Sequence, residues 1–373
     1  MTVGLAGMAS ADSKPADVSK PVQVFLIMGQ SNTLEFGKVS DELKTAYPFL
    51  AADGAWSTRK DVRNVSVMVG RKGIYRNEWL TVEKKGKIGI EIGIGHELGN
   101  AVDAPVMILK SSIGNRSLGW DLLPPGTPRY SHGGKEQPAY GETYPSKRDM
   151  SKIVAYEEGK TLGWYAGKQY DDDVANAKKI LADLGKYYPG ATKYEVAGII
   201  WWQGDKDMRN AAHAAEYEKN LGRLLAALRK DFKAPNAKFV CASLGQTDES
   251  DKDSGHGKIL HAMKNFAASS DDIGFVYSKP LLDKPSSSSG HYDFEFEFEV
   301  ETHEQTDPPL ISVCNQEFAL SNGICSVKFI CTESDGFSIV WKNKTGSDTV
   351  CDSDGNIVAD KNFKLLRVWV DGI

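Results

Sequence analysis

Three short stretches hold the residues whose types and spacing could do chemistry. "GQSN" at 29–32 places a serine just past a turn that opens on the glycine closing an apolar run, so the Ser31 hydroxyl would emerge at a strand end. "SSIGNRSLGWDLLPPG" at 111–126 offers the Gly114 amide, which a ligand can approach closely, with Asn115 and Arg116 beside it. "WWQGDKDM" at 201–208 offers the Gln203 side-chain amide and the carboxylates of Asp205 and Asp207. A serine, a glycine amide and an amide side chain converging at one sheet edge would form an oxyanion hole for acyl transfer. Locally the competing reading is equally simple: Ser31 or Asn32 caps the turn that follows, and Asp205 and Asp207 cap a helix or bond near the pocket.

A neutral serine hydroxyl needs a base to take its proton. His96 falls in the helix-like "IGHELGNA", where a surface or packing role is expected; His132 and His213 sit in polar loop or helix-start contexts, and His303 in a late β-like tail. His291 in "SSSSGHY" and His256 in "DKDSGHGK" remain, the latter with Asp253 three residues before it.

The elements that must position these groups are legible as short apolar runs. "VQVFLIM" (22–28), "PVMILKS" (105–111), "VAGIIWWQ" (196–203), "AKFVCASLG" (237–245) and "IGFVYS" (273–278) read as strands buried on both faces. Between them, "DDDVANAKKILADLGKYYPG" opens on acids and closes on a proline and glycine, and "AAEYEKNLGRLLAALRKDF" repeats leucine at helical spacing, so both predict helices. Strand alternating with helix implies an α/β fold with a parallel sheet, whose ligands bind outside the carboxyl ends of the strands. Trp201 and Trp202 end one strand on opposite faces, so core packing is expected for at least one. Trp120 and Trp164 offer faces on which a sugar ring can stack.

After Pro280 the character changes. "LLDKPSSSSGHY" is turn-rich, "DFEFEFEVE" (293–301) alternates with period two, and "CSVKFIC", "FSIVWKN" and "KLLRVWV" follow between polar clusters, predicting a small all-β extension. The expected divisions are a tail or signal remnant at 1–20, an α/β domain at 21–292 and a β-rich module at 293–373.

A chain of 373 residues, 41% hydrophobic, can bury a sizeable core. It holds no run of apolar residues long enough to span a membrane, and 45 basic against 50 acidic side chains argue against a nucleic-acid partner. The tail carries Ala9-Ser10-Ala11, like the end of a secretory signal, without the basic start or full apolar core of one. Cys314, Cys325, Cys331 and Cys351 crowd the last sixty-odd residues, whereas Cys241 stands alone in a probable strand. Two bridges there would favour an oxidising, secreted or periplasmic setting; buried free thiols are the other reading, and the spacing fits no tight zinc pattern.

The ordered set "GQSN", a Gly-Asn segment, "WWQGDKD" and a late "GHY" resembles the SGNH hydrolase superfamily, in its sialate O-acetylesterase-like branch, similar to carbohydrate esterase family six. "GKIGIEIGIGHELGNAVDAPVMILKSSIGNRSLGWDLLPPG" and "GWYAGKQYDDDVANAKKIL" add to the likeness, which covers about 21–292. The resemblance implies a flavodoxin-like three-layer α/β/α sandwich and removal of O-acetyl groups from carbohydrate through an acyl-serine intermediate, with neither metal nor cofactor. It makes Ser31 the nucleophile, His291 the base, and the Ser31 amide, Gly114 and Gln203 the oxyanion donors, with Gln30, Asn32, Asn115, Arg116 and Trp120 at the substrate. Two departures stand out: the position three before His291, often aspartate in the superfamily, is Ser288, and "DFEFEFEVE" replaces the usual final helix. They favour the alternative of a catalytically inactive carbohydrate-binding protein on the same fold. Nothing in the pattern speaks to oligomeric state.

Overall fold

The computed structural model describes residues 15–67, 74–83 and 85–281, and beyond these a set of strands between 294 and 370. The chain divides into two units, 1–281 and 282–373. In the first, seven strands form one sheet: β1 (Val22–Gly29), β2 (Thr58–Val67), β3 (Ile74–Thr81), β4 (Val106–Ser112), β5 (Tyr194–Trp202), β6 (Lys238–Ala242) and β7 (Ile273–Val276). Their order is β7-β6-β5-β1-β4-β2-β3. All neighbours run parallel except β2 and β3, so the sheet is mixed where a parallel one was expected.

The apolar runs form strands because both their faces are covered. Along β1, Val22, Val24, Leu26 and Met28 enter one core, while Ile27 enters another on the opposite face. The first core is closed by helices α2 (Lys168–Ala182), α3 (Ala211–Asp231) and α4 (Gly255–Ala268). On α3, Leu221, Leu224, Leu225 and Leu228 make the buried stripe that their spacing predicts, each burial contributing roughly 2 kcal/mol. The second core is closed by α1 (Glu91–Ala101), whose Ile92 packs with Ile108 and Val62. Trp201 is buried in the first core; Trp202 points the other way, its indole N–H donating to Ser243 O at 2.8 Å. The helix expected up to Gly190 breaks at Asp183 and resumes for one turn at Leu184–Tyr187.

In the second unit all described elements are strands. Phe294–Thr302, the alternating segment, lies between Gly323–Phe329 and Phe363–Val370, antiparallel to both. Leu310–Val313 pairs with Gln316–Ala319 and Ile339–Trp341, and Thr349–Cys351 with Ile357–Asp360.

Candidate active site

The register sets three strand ends level: Gly29 of β1 stands opposite Trp202 of β5 on one side and Ser112 of β4 on the other. The three chemistry-bearing stretches follow these ends, so the fold brings them to one carboxyl edge. Gly29 is required here by contact as well as by conformation. Its φ is +154°, and a Cβ would overlap the carbonyl oxygen of Trp202. Gln30 then donates its amide to that same oxygen at 3.3 Å, and Ser31 opens a single 3₁₀ turn, Ser31–Thr33. Thr33 holds the turn, donating to Gln30 O at 2.7 Å and meeting the Ser112 hydroxyl. Ser31 is 1% exposed, and Gln30 Nε2 lies 3.5 Å from its Oγ.

Gln203 is the hub of this edge. The Trp201 indole donates to Tyr217 Oη at 3.1 Å, leaving the phenol proton free to reach Gln203 Oε1 at 2.8 Å. That fixes the amide orientation and turns Nε2 toward Arg116 O at 2.8 Å, Asp207 Oδ2 at 2.5 Å and Gln30 Oε1 at 3.2 Å. Three acceptors thus compete for two hydrogens. Gln30 Oε1 also accepts from the backbone of Gly204 at 3.2 Å, so this buried side chain braces the edge from within.

Asp207 lies in the one-turn helix Asp205–Met208, yet its carboxylate does not cap that helix. Oδ2 accepts from Leu118 N at 2.8 Å and Oδ1 from Gly119 N at 2.7 Å, tying the loop after β4 to the loop after β5. Burial pushes this carboxyl up to about 7, against the donors that favour its anion. Gly119 leaves room for the His213 ring, which a Cβ would overlap. His213 Nδ1 stands 3.6 Å from Asp207 Oδ1, beyond hydrogen-bond length, and burial lowers its pKa to about 4.

The loop carrying Gly114 and Asn115 is fastened at its far end. Asp121 accepts from Ser117 N at 2.9 Å and from Arg116 Nη1 at 2.9 Å, and the Arg116 guanidinium lies over the Trp164 ring at 4.4 Å. Asn115 takes a positive φ of 55°, which asparagine tolerates. Trp120 stacks on Tyr144 with ring centroids 5.6 Å apart. Asn32, Asn115, Arg116 and Trp120 are all half-buried at this edge, with faces open to solvent.

Among the histidines, His96 is packed on Phe49 in the second core, and burial lowers it to about 4. His256 begins α4; Asp205 and Asp251, rather than Asp253, are the acids whose charge reaches it, while burial lowers its pKa. Its Nε2 is buried without a hydrogen-bond partner among the described residues. His291, Ser288 and His303 lie outside the described residues, as do Cys314 and Cys331. Cys241 is buried in β6, its thiol pushed up to about 12 by burial. Sequence reading passed over two features. Tyr217 had no signal beyond its place in a helical pattern, and the bracing role of Asp207 joins backbone amides far away in the chain.

Residues 144–297 match a family model described as carbohydrate esterase, sialic acid-specific acetylesterase. The matched span holds Gln203, His256 and His291 and excludes Ser31 and Gly114. No curated protein matches the chain. Among solved structures, the chain is similar to an Arabidopsis thaliana protein at 15% identity, covering 73% of this chain and 91% of that one, with a TM-score of 0.42. It is similar to NanS at 14% identity, covering 74% and 86%, with a TM-score of 0.42. It is also similar to a carbohydrate acetylesterase from Xanthomonas citri at 15% identity, with 68% of this chain covered and a TM-score of 0.40, and it spans 50% of that protein. The sialate O-acetylesterase likeness read from the motifs is met by the family model over 144–297.

Proposed function

We propose that the protein is a carbohydrate O-acetylesterase that works through an acyl-serine intermediate. Ser31 Oγ attacks the acetyl carbonyl as His291 takes its proton; the sugar hydroxyl leaves with that proton, and water activated by His291 then releases acetate. The amides of Ser31 and Gly114 receive the oxyanion. Gln203, with both its hydrogens directed at protein acceptors, holds the edge in shape, and donates to the oxyanion only by exchanging one of those bonds. Gln30 braces from within, while Asn32, Asn115, Arg116 and Trp120 face the sugar. Helices on both faces of a sheet with β1 at its centre support the flavodoxin-like three-layer reading.

The observation that carries this proposal is the level register of three strand ends, each followed by the residue type acyl transfer needs. Ser31→Ala is expected to abolish acetate release from p-nitrophenyl acetate and from acetylated oligosaccharides; equal rates in variant and parent remove Ser31 as nucleophile. The 1% exposure of Ser31 favours a second reading, a carbohydrate-binding protein without turnover. A serine-reactive fluorophosphonate separates the two, since labelling requires a hydroxyl that is both reachable and activated.

A further inference from the structure

On the second-core side of the sheet, just short of the strand ends that carry the Ser31 turn, lies an ion pair closed off from water. Lys110 of β4 and Glu91, the first residue of α1, meet at 2.7 Å with side chains 4% and 0% exposed. The setting is aliphatic: Ile27 stands opposite Lys110 in the β1–β4 register, and Ile27, Ile92 and Ile108 belong to the same core. A first-turn acid complements the α1 dipole equally well from the surface, so the dipole does not explain why this one is sealed. Nor does stability, because the desolvation of two such charges largely cancels their attraction, and apolar side chains of similar volume often serve as well or better. What a sealed pair supplies is fixed geometry, since neither partner can leave the other without stranding a charge in the core.

That geometry is passed to the turn through a short strap. Glu91 Oε1 accepts from Gly89 N at 3.0 Å. Gly89 lies against the Leu34 carbonyl, so closely that a Cβ there would crowd both this oxygen and the Glu91 carboxylate. Leu34 N donates to Ser31 O at 2.9 Å and closes the 3₁₀ turn. Further along, Val39 N donates to Gly86 O at 3.2 Å and Gly37–Lys38 pairs antiparallel with Lys87–Ile88, so the segments after the turn and before α1 lie side by side. Glu35, next to Leu34, is held from the same centre: burial favours its neutral form, but the Arg76 hydrogen bond and the charge of Lys110 keep its carboxyl below the usual range. On β4 itself, Ser112, two residues beyond Lys110, meets Thr33 inside the turn.

We infer that Lys110 and Glu91 are a positioning pair for the nucleophile, fixing the Ser31 turn through Gly89 and Leu34 rather than only holding the second core together. For its consequence in turnover this rests on the esterase reading; for the turn itself it does not.

The test compares the full chain with the paired variant Glu91→Gln and Lys110→Met, which removes both charges together, keeps an acceptor for Gly89 N and nearly keeps the volume. Amide hydrogen exchange is read at Leu34 and, for reference, at Ile27 and Leu109 in the flanking strands. In the variant, Leu34 is expected to exchange at least about 10-fold faster and the strand amides at the parent rate. The kcat on p-nitrophenyl acetate is expected to fall roughly 10- to 100-fold with KM within about 2-fold, the signature of a displaced reacting group. Should the paired variant not fold, Gly89→Ala, which leaves both charges in place and presses on the Leu34 carbonyl, is read in the same way and is expected to give the same pattern. Unchanged exchange at Leu34 overturns the inference. So does acceleration spread equally over Leu34 and the strand amides, which would show a pair that only holds the core, and so does faster exchange at Leu34 with the kcat of an active parent unchanged. Faster exchange confined to Leu34, with no acetate released by parent or variant, keeps the positioned turn and overturns the esterase reading alone.

Discussion

The carboxyl edge of the sheet has two halves built on opposite terms. Around the ends of β4, β1 and β5, the buried polar side chains Gln30, Gln203, Asp207 and Asp121 all have partners. Toward β6, Asp205 Oδ1, both amide atoms of Gln246, Thr247 Oγ1 and His256 Nε2 are buried without hydrogen-bond partners among the described residues. The network joining Gln30, Gln203, Asp207 and Asp121 keeps its shape with no help from a ligand, as preorganised oxyanion donors must, although Arg116 Nε, Trp164 Nε1 and His213 Nδ1 at its margin have no hydrogen-bond partner among the described residues. A region with orphaned atoms carries a desolvation cost of about 1–3 kcal/mol for each, recoverable only by new bonds. The first half is suited to holding a reacting centre still, the second to gaining from whatever reaches it.

The largest expected effect decides which histidine supplies the base. With His291 as base, His291→Ala is expected to lower kcat on p-nitrophenyl acetate by roughly 10²- to 10⁴-fold, and His256→Ala by less than about 3-fold. The reverse ranking would make His256, in the orphaned half, the proton acceptor and give Asp205 or Asp251 the orienting role.

Asp207 tests the claim that the paired half is held by its own bonds. Asp207→Ala strips acceptors from Leu118 N, Gly119 N and Gln203 Nε2, and is expected to cost about 3 kcal/mol or more in urea unfolding. Asp207→Asn, which keeps one acceptor oxygen, is expected to cost less. A loss under about 1 kcal/mol for the alanine variant would mean that the two halves do not differ in how they are supported.

How much of this was legible in the sequence follows from burial. β1, β4 and β5 announce themselves because strands covered on both faces are apolar throughout. β2, "TRKDVRNVSV", hides because its buried charges satisfy one another: Arg59 pairs with Asp61 at 2.6 Å and donates to His96 O at 3.1 Å. Missing β2 and β3 also meant missing the antiparallel edge. Ser31 and Gln203 could be found from position alone, within three residues of the end of an apolar run. The bracing by Asp207 could not, since it joins backbone amides 88 and 89 residues away and backbone amides carry no residue signature. α4 and its His261 went unread because "GHGKILHAMKNFAA" opens on two glycines, which weaken a helix pattern.

A smaller effect is expected from pH. On α2, beneath the paired half, Asp173 accepts from Ser111 Oγ at 2.5 Å, and burial pushes its carboxyl up to about 7. A folded pKa above the ordinary value means that the folded state holds the proton more tightly than the unfolded one. Its stabilisation is therefore complete below about pH 4 and lost as pH rises through about 7. Between pH 5 and 8 this amounts to about 2–3 kcal/mol, and Asp207 contributes with the same sign. Thermal melts across that range should fall less steeply for Asp173→Asn than for the parent. Parallel slopes would show that Asp173 keeps its charge in the fold.

The smallest effect belongs to the orphaned half and gives the comparison its sharpest form. Thr247 is buried and its Oγ1 has no hydrogen-bond partner among the described residues, so Thr247→Val exchanges a desolvated hydroxyl for a methyl of nearly the same shape. Where a hydroxyl is bonded, that exchange destabilises; where it is orphaned, removing it costs nothing and can stabilise. Urea unfolding of Thr247→Val is expected within about 0.5 kcal/mol of the parent, or above it. A loss beyond about 1 kcal/mol would mean the hydroxyl is already satisfied in solution, and the two halves would then be paired alike. A neutral result beside a large loss at Asp207 would show that bonding, not burial, separates them, because both side chains are almost wholly removed from solvent.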